Sequence, residues 1–320
     1  MMATSTTTLP RGGLSQAERK PRSLWSDAWR RLTRNKAAVA GIIFISLVVL
    51  VAIFAPLLAP HNPVQQNTGN SLKPPMWVAG GSSEYILGTD ALGRDLLSRL
   101  IFGTRVSMIV GLIPTTIVVL IGVTVGLIAG FAGGGLDNFI MRVTDIVTAF
   151  PDLLFLIIIS VAFRDSALGK AFNGLLLIFT ALAIIGWTGL ARLVRGQVLS
   201  LKQKEFVEAA RTVGVSTTSI LFKHLLPNAM APVIVAISFA IPSFILAEAT
   251  LTIIGVGMRP SVDVNNPFPT SWGVLMSDGF AGITSNPYPL LFPVILVSTT
   301  MLAFTSLGDG LRDALDPRDN

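Results

Sequence analysis

The 320-residue chain is 51% hydrophobic and 13% charged, about half the charge of a soluble domain, and its mean hydropathy is +0.68; this argues against an ordinary soluble enzyme and for a lipid environment, where an ionised side chain is costly. With no cysteine and only two histidines, His61 and His224, disulfides and thiolate metal sites are excluded and no HExxH centre exists. The net charge of +6 suits either nucleic acid or the anionic cytoplasmic face of a membrane.

Residues 1–22 are polar, rich in Ser, Thr and Pro, and are expected to be disordered. Within the tail 1–36, Trp25, Trp29 and Leu32 fall at i, i+4 and i+7, with Arg30, Arg31 and Arg34 on other faces. That spacing predicts an amphipathic helix, lying in the membrane interface or packed on a neighbouring protein. The first span is placed at 37–59; its uncharged run is too long for the apolar core of a signal peptide, about 7–15 residues. The segment 60–105 follows as an external region in which YILGTDALGRDLLSRLIFGTR reads as two short Gly-bounded helices, contacting a partner or capping the bundle. A five-span core occupies 106–310, with spans at 106–132, 139–163, 171–191, 228–257 and 290–307. It includes a loop at 192–227 on one side of the membrane and a loop at 258–289 on the other. Runs of this length and apolarity are helices, because lipid satisfies no backbone hydrogen bonds. Pro151, Pro232, Pro242 and Pro293 mark kinks or span ends. Arg142 and Asp145 in the third span are i, i+3 and are expected to pair.

Counting Lys and Arg on alternate sides gives seventeen on the side of the N-terminus and seven on the other. The excess places both termini, including 311–320, and the loop 192–227 in the cytoplasm.

Within that loop, FVEAARTVGVSTTSILFKHLLPN (206–228) reads as two helices around Gly214-Val215-Ser216. Gly214 supplies the positive φ that ends the first, Ser216 caps the second, and Pro227 is expected to stop it. The pattern also suits a DNA-binding helix-turn-helix. However, the segment lies between two spans and mixes Glu205 and Glu208 with its bases, so it is read as a rigid knob at the membrane surface and not as a nucleic-acid binder.

Glu208-Ala209-Ala210, Gly214 four residues on, and Leu226-Pro227 beyond it make this knob similar to the coupling loop of ABC importer permeases. His224 stands where the general pattern has Ile, as in the peptide and nickel branch. FAPLLAPHNP, LGTDALGRDLLSRLIFGTRVSMIVG, MRVTDIVTAFP, ILAEATLTIIGVG, SWGVLMSDG and GDGLRDALDPR follow in the order of that branch, and the chain resembles the C-type permease of dipeptide and oligopeptide importers from about Trp25 to Arg318. The resemblance implies an all-α polytopic protein with six transmembrane helices, like the permeases of type I importers, in the inner membrane. It implies a second, B-type permease, two ATPase subunits and an external binding protein as partners. No cofactor is expected in this chain, which lacks GxxxxGK[ST]; ATP and Mg belong to the partner subunits. Phe206, Glu208, Ala209, Ala210, Gly214 and Phe222 are then the ATPase-coupling residues.

Glu248, Ser298 and Thr299 are candidates for the translocation path, with interhelix hydrogen bonding as the alternative for Glu248 and bonding to their own helix as the alternative for the hydroxyls. One departure is MRPSVDVNNPFPT (258–270), expanded relative to the branch. Nickel chelates or glutathione are alternative cargoes. An ion-coupled secondary carrier is the rival class, against which stands the want of an evident internal repeat.

Overall fold

The structure, a computed structural model, describes residues 24–315. The polar tail 1–22 and the Trp25 side chain lie outside the described residues. Helix α1 (Leu24–Leu32) buries Ala28 and Leu32 in a cluster with Leu311 and Ala314 near the end of the chain, and leaves Trp29 61% exposed. It is therefore packed on its own chain through the Ala28–Leu32 edge. Helix α2 (Lys36–Ile53) is capped by Asn35, whose side chain accepts from the N–H groups of Ala37 and Ala38 at 3.1 and 3.2 Å. The first span expected at 37–59 breaks at Phe54, and Pro56 opens a short α3 (Ala55–Leu58), where its missing N–H costs nothing.

The next segment corrects the expectation of two short helices between 85 and 105. Residues 60–95 are irregular apart from one 3₁₀ turn, Thr68–Asn70, and two isolated β-bridges. The chain turns at Gly88 and Gly93, both at positive φ, and α4 (Leu96–Ala132) starts ten residues before the expected 106. Asp95 caps it, accepting from the Ser98 N–H at 2.8 Å. The expectation erred because Arg99 and Arg105 ended the uncharged run, whereas a charge with a partner does not end a helix.

The expected third span, 139–163, is broken. Helices α5 (Gly134–Thr148) and α6 (Asp152–Ala162) meet at 77°. Pro151 has no N–H to give and pushes Phe150 out of helical geometry. Among the described residues five helices are long and apolar enough to cross a membrane, or six with this bent pair counted as one. After α7 (Ala167–Lys170), α8 (Leu175–Leu201) continues ten residues past the expected boundary at Ala191. Its two arginines are matched from α5: Arg192 donates to Asp145 at 2.9 Å, and Arg195 donates to Asp137 at 2.5 and 2.6 Å. The expected Arg142–Asp145 pair is thus replaced, with Arg142 left exposed.

Helices α4 and α8 form the closest pair, along a stripe of Gly122, Gly126 and Gly130. A Cβ on Gly126 would stand 2.6 Å from the Ala191 carbonyl oxygen, so only glycine permits this approach, the small-residue seam of membrane helices. The remaining elements are α9 (Glu205–Thr212), α10 (Thr217–Ser219), α11 (Leu226–Ile253), α12 (Trp272–Ala281) and α13 (Tyr288–Leu315). Pro227 does not stop α10. The helix runs on from Thr217 to Ile253, widening over Ile220–Leu225 to i→i+5 geometry in which the Leu226 N–H reaches the Leu221 carbonyl. Pro227 sits in the first turn of α11, and the Asn228 side-chain amide donates to the His224 carbonyl at 2.6 Å.

Candidate functional site

The segment 202–225 projects from one end of the bundle. Helix α9 ends in the manner its sequence predicts: Gly214 has φ +78, its N–H reaches the Arg211 carbonyl, and the Val215 N–H reaches the Ala210 carbonyl, both at 3.0 Å. This is a Schellman closure, for which glycine is favoured because it lacks a Cβ. Ser216 then caps α10, accepting from the Ser219 N–H at 3.4 Å.

The knob has two faces. Val207, Ala210, Ile220 and Leu225 are buried in one cluster with Val194 and Val198 of α8 and Leu127 of α4. Lys202 donates to the Gly130 carbonyl at 2.8 Å, and the Arg211 guanidinium lies 5.7 Å from the centre of the Phe131 ring. The knob is therefore fixed to the ends of α4 and α8 and continuous with α11. On the outward face Phe206 is 41% exposed and Val213 78%, with Glu208 and Ala209 exposed beside Phe206; Phe222, 59% exposed, borders an apolar cleft with Leu120, Val123 and Leu127 of α4 and Met230 of α11. No ion pair holds Glu208 among the described residues. Of the six residues singled out from the sequence, Phe206, Glu208, Ala209 and Phe222 thus lie on the surface of the knob. Ala210 packs inward, and Gly214 sets the turn.

The three path candidates are not brought together. Glu248 is fully buried near the far end of α11, where its Oε1 accepts from Thr252 Oγ1 at 2.9 Å and Ser271 Oγ at 2.7 Å. These contacts favour the interhelix reading for this residue. Thr299 on α13 donates to the Ile295 carbonyl of its own helix at 2.7 Å, and Ser298 is exposed. Neither hydroxyl lines the apolar cleft of about 210 Å³ between α4, α8 and α11, bounded by Thr115, Val118, Gly186, Leu190, Ile237 and Phe244.

Sequence reasoning missed a second polar cluster. Asp90, Arg94 and Arg99 are buried together, with Asp278 of α12 half-exposed beside them. Arg94 donates to Asp90 at 2.7 Å and to Asp278 at 2.9 Å; Arg99 donates to the same two carboxylates, reaching Asp278 at 2.9 Å. The GTDALGRD stretch carried the signal in its closely spaced opposite charges, but Asp278 lies far along the chain. The loop 258–270 folds back on itself through the Ser261 N–H to Pro269 carbonyl bond of 2.9 Å. It is tied to 60–95 through Asn62, whose side-chain amide donates to the Val264 carbonyl at 3.3 Å, and its valines Val262 and Val264 point outward.

Comparison with known proteins agrees with this architecture. Residues 122–319 match the family model described as binding-protein-dependent transport system inner membrane component, and residues 23–75 match the N-terminal transmembrane domain of oligopeptide transport permease C. The chain is 41% identical over 307 residues to the oligopeptide transport system permease protein OppC of Bacillus subtilis (strain 168), covering 96% of this chain and 94% of that one. It is 40% identical over 297 residues to the dipeptide transport system permease protein DppC of the same organism, covering 92% and 86%. To OppC of Escherichia coli (strain K12) it is 39% identical over 298 residues, covering 93% and 92%. Among solved structures, the inward-facing MetNI methionine ABC transporter has a chain of similar fold, with a TM-score of 0.52 at 18% identity over 69% of this chain and 96% of that one.

Proposed function

The chain belongs to the family of binding-protein-dependent transport system inner membrane components, and from that membership we propose that it carries di- and oligopeptides inward as one of two non-identical permeases in an ATP-driven importer. The cargo follows from the relatives named for oligopeptide and dipeptide transport, which match nearly the whole chain. The subunit itself is non-catalytic. ATP and Mg act on two partner ATPase subunits in the cytoplasm, and an external binding protein delivers the peptide. The charge distribution supports this orientation, with both termini and the knob on the cytoplasmic side of the inner membrane.

The observation that carries the coupling role is the two-faced knob. Phe206 and Val213 expose apolar surface on the segment that carries Glu208, and Phe222 does so at the side turned to α4, while Val207, Ala210, Ile220 and Leu225 lock the same element onto α4, α8 and α11. An apolar patch with a charge beside it suits a protein partner, and its rigid backing suits the transmission of force. Closure of the ATPase pair displaces the knob, α11 moves with it because Thr217–Ile253 is one helical line, and the cleft between α4, α8 and α11 opens alternately to either side. On the opposite face, the outward Val262 and Val264 of the 258–270 loop belong to the surface offered to the binding protein.

The test is reconstitution. The chain is expected to co-purify with two ATPase chains and a sister permease and to support ATP-dependent uptake of a labelled dipeptide or tripeptide. The double variant Glu208→Ala, Gly214→Pro is expected to insert and lose uptake. Ion-coupled uptake by the isolated chain would overturn the assignment.

A further inference from the structure

Helix α12 is ten residues long, about 15 Å, and its two ends are held by different polar groups. At the N-terminal end Ser271 is the cap. Its Oγ accepts from the Val274 N–H at 3.1 Å and donates to Glu248 Oε1 on α11 at 2.7 Å. The Trp272 N–H donates to Ser107 Oγ of α4 at 3.1 Å, and Glu248 Oε1 also accepts from Thr252. Glu248, Ser271, Trp272 and Ser107 are all fully buried. Glu248 Oε2 makes no hydrogen bond and lies against the first turn of α12, 3.1 Å from where a Cβ on Gly273 would stand, at the positive end of the helix dipole. At the C-terminal end, Asp278 accepts from both Arg94 and Arg99 at 2.9 Å. Arg94 belongs to the outer segment, which Asp90 and Arg94 close into a turn.

We propose that α12 is a tie-bar: Glu248 fixes one end to α11, Asp278 fixes the other to the outer segment 60–95, and a displacement of α11 reaches the external surface through it. Glu248 and Asp278 are then positioning residues for transport, acting through α12 and not by touching cargo. The geometry requires both ends. Helix α11 is continuous with the knob through Thr217–Ile253, and α12 joins the far part of α11 to the Asp90–Arg94 turn through the buried Glu248–Ser271 bond and the part-buried Arg94–Asp278 bond. A hydrogen bond is directional where apolar packing is not, so the Ser271–Glu248 bond sets the register of the bar on α11.

The inference rests on the importer reading, and the experiment separates the two. In the whole complex reconstituted in proteoliposomes, ATP hydrolysis is measured with and without the peptide-loaded external binding protein. Glu248→Ala is expected to reduce the stimulation by binding protein about ten-fold, within the usual range of coupling between sites, while basal hydrolysis and co-purification stay at the level of the unmodified complex. Glu248→Gln keeps an oxygen that accepts from Ser271 and is expected to retain the stimulation. Asp278→Asn, at the other end of the bar, is expected to give a smaller loss of the same quantity; it decides alone should Glu248→Ala fail to assemble. Full stimulation in an assembled Glu248→Ala complex, or a proportionate fall in basal and stimulated rates, overturns the tie-bar. No stimulation in the unmodified complex overturns the importer reading instead.

Discussion

The knob at 202–225 and helix α12 sit at opposite ends of α11 and differ in what accompanies their apolar packing. The knob is attached through apolar side chains, Val207, Ala210, Ile220 and Leu225, and keeps large apolar groups in the open on its other side. Helix α12 also packs on α11 through apolar side chains, Trp272, Val274 and Leu275 against Ile241, Ile245 and Leu251, and adds carboxylates at both ends: Glu248 of α11 at its start, and its own Asp278, which binds Arg94 of the outer segment and Arg99 of α4. One region is incomplete by itself and calls for a partner. In the other most polar groups find theirs within the chain, so its polarity serves the chain's own architecture. Exposure, and not charge, therefore separates the proposed docking surface from the internal framework here.

That contrast can be broken most directly at Arg99. Removing this fully buried guanidinium leaves Asp90 and Asp278 short of a partner, and Arg99→Ala is expected to cost about 3–5 kcal/mol, read as a large drop in the melting temperature of the detergent-purified complex. A melting temperature close to that of the unmodified complex would mean that the outer cluster is not a framework. At the knob the same measurement is expected to stay flat. Phe222→Ala with Glu208→Ala should leave melting unchanged while peptide uptake falls about ten-fold or more, the loss typical of a few anchoring residues at an interface; unchanged uptake would remove the knob from the coupling surface.

Gly214→Ala sharpens the comparison, because it alters the shape of the knob without touching its exposed face. A Cβ at φ +78 costs about 1–2 kcal/mol, and a modest fall in melting with a partial fall in uptake is expected. The smallest effect belongs to Arg192→Ala. Its bond to Asp145 joins side chains 42% and 60% exposed, and loss of such a pair is worth at most about 1 kcal/mol; a larger destabilisation would show that α5 is held chiefly by this contact.

Much of this was legible in the sequence because membrane spans are long and uniform and because the knob's closure is local. Ala210, Gly214 and Ser216 specify the turn from within a few residues of each other, and the structure follows them. The boundaries went astray where charge stood in for helix ends. Arg105 and Arg192 each cut short an expected span, although both lie within helices that continue past them, Arg105 over the Phe268 ring and Arg192 paired with Asp145. The Arg142–Asp145 pair was a choice of the nearest partner in sequence, and Arg192, forty-seven positions away, took it instead. The setting of Glu248 could not be read for the same reason. Its acceptor role depends on Ser271, which reaches it only because the chain after Ile253 turns back over the end of α11.

The widened turn at Ile220–Leu225 has a geometric consequence. An i→i+5 turn accommodates a surplus residue relative to the ordinary helix, and each residue of an α-helix advances the chain by about 100° around its axis. The widened turn winds less per residue, so it absorbs the surplus residue and leaves the knob in register with the span. Rewinding the same residues as regular α-helix, with none removed, would swing the knob by about 100° and carry Val207 and Ala210 off their seats against α8; the azimuth of the whole projection is thus indexed by one loosened turn, as a key is by the position of a single notch.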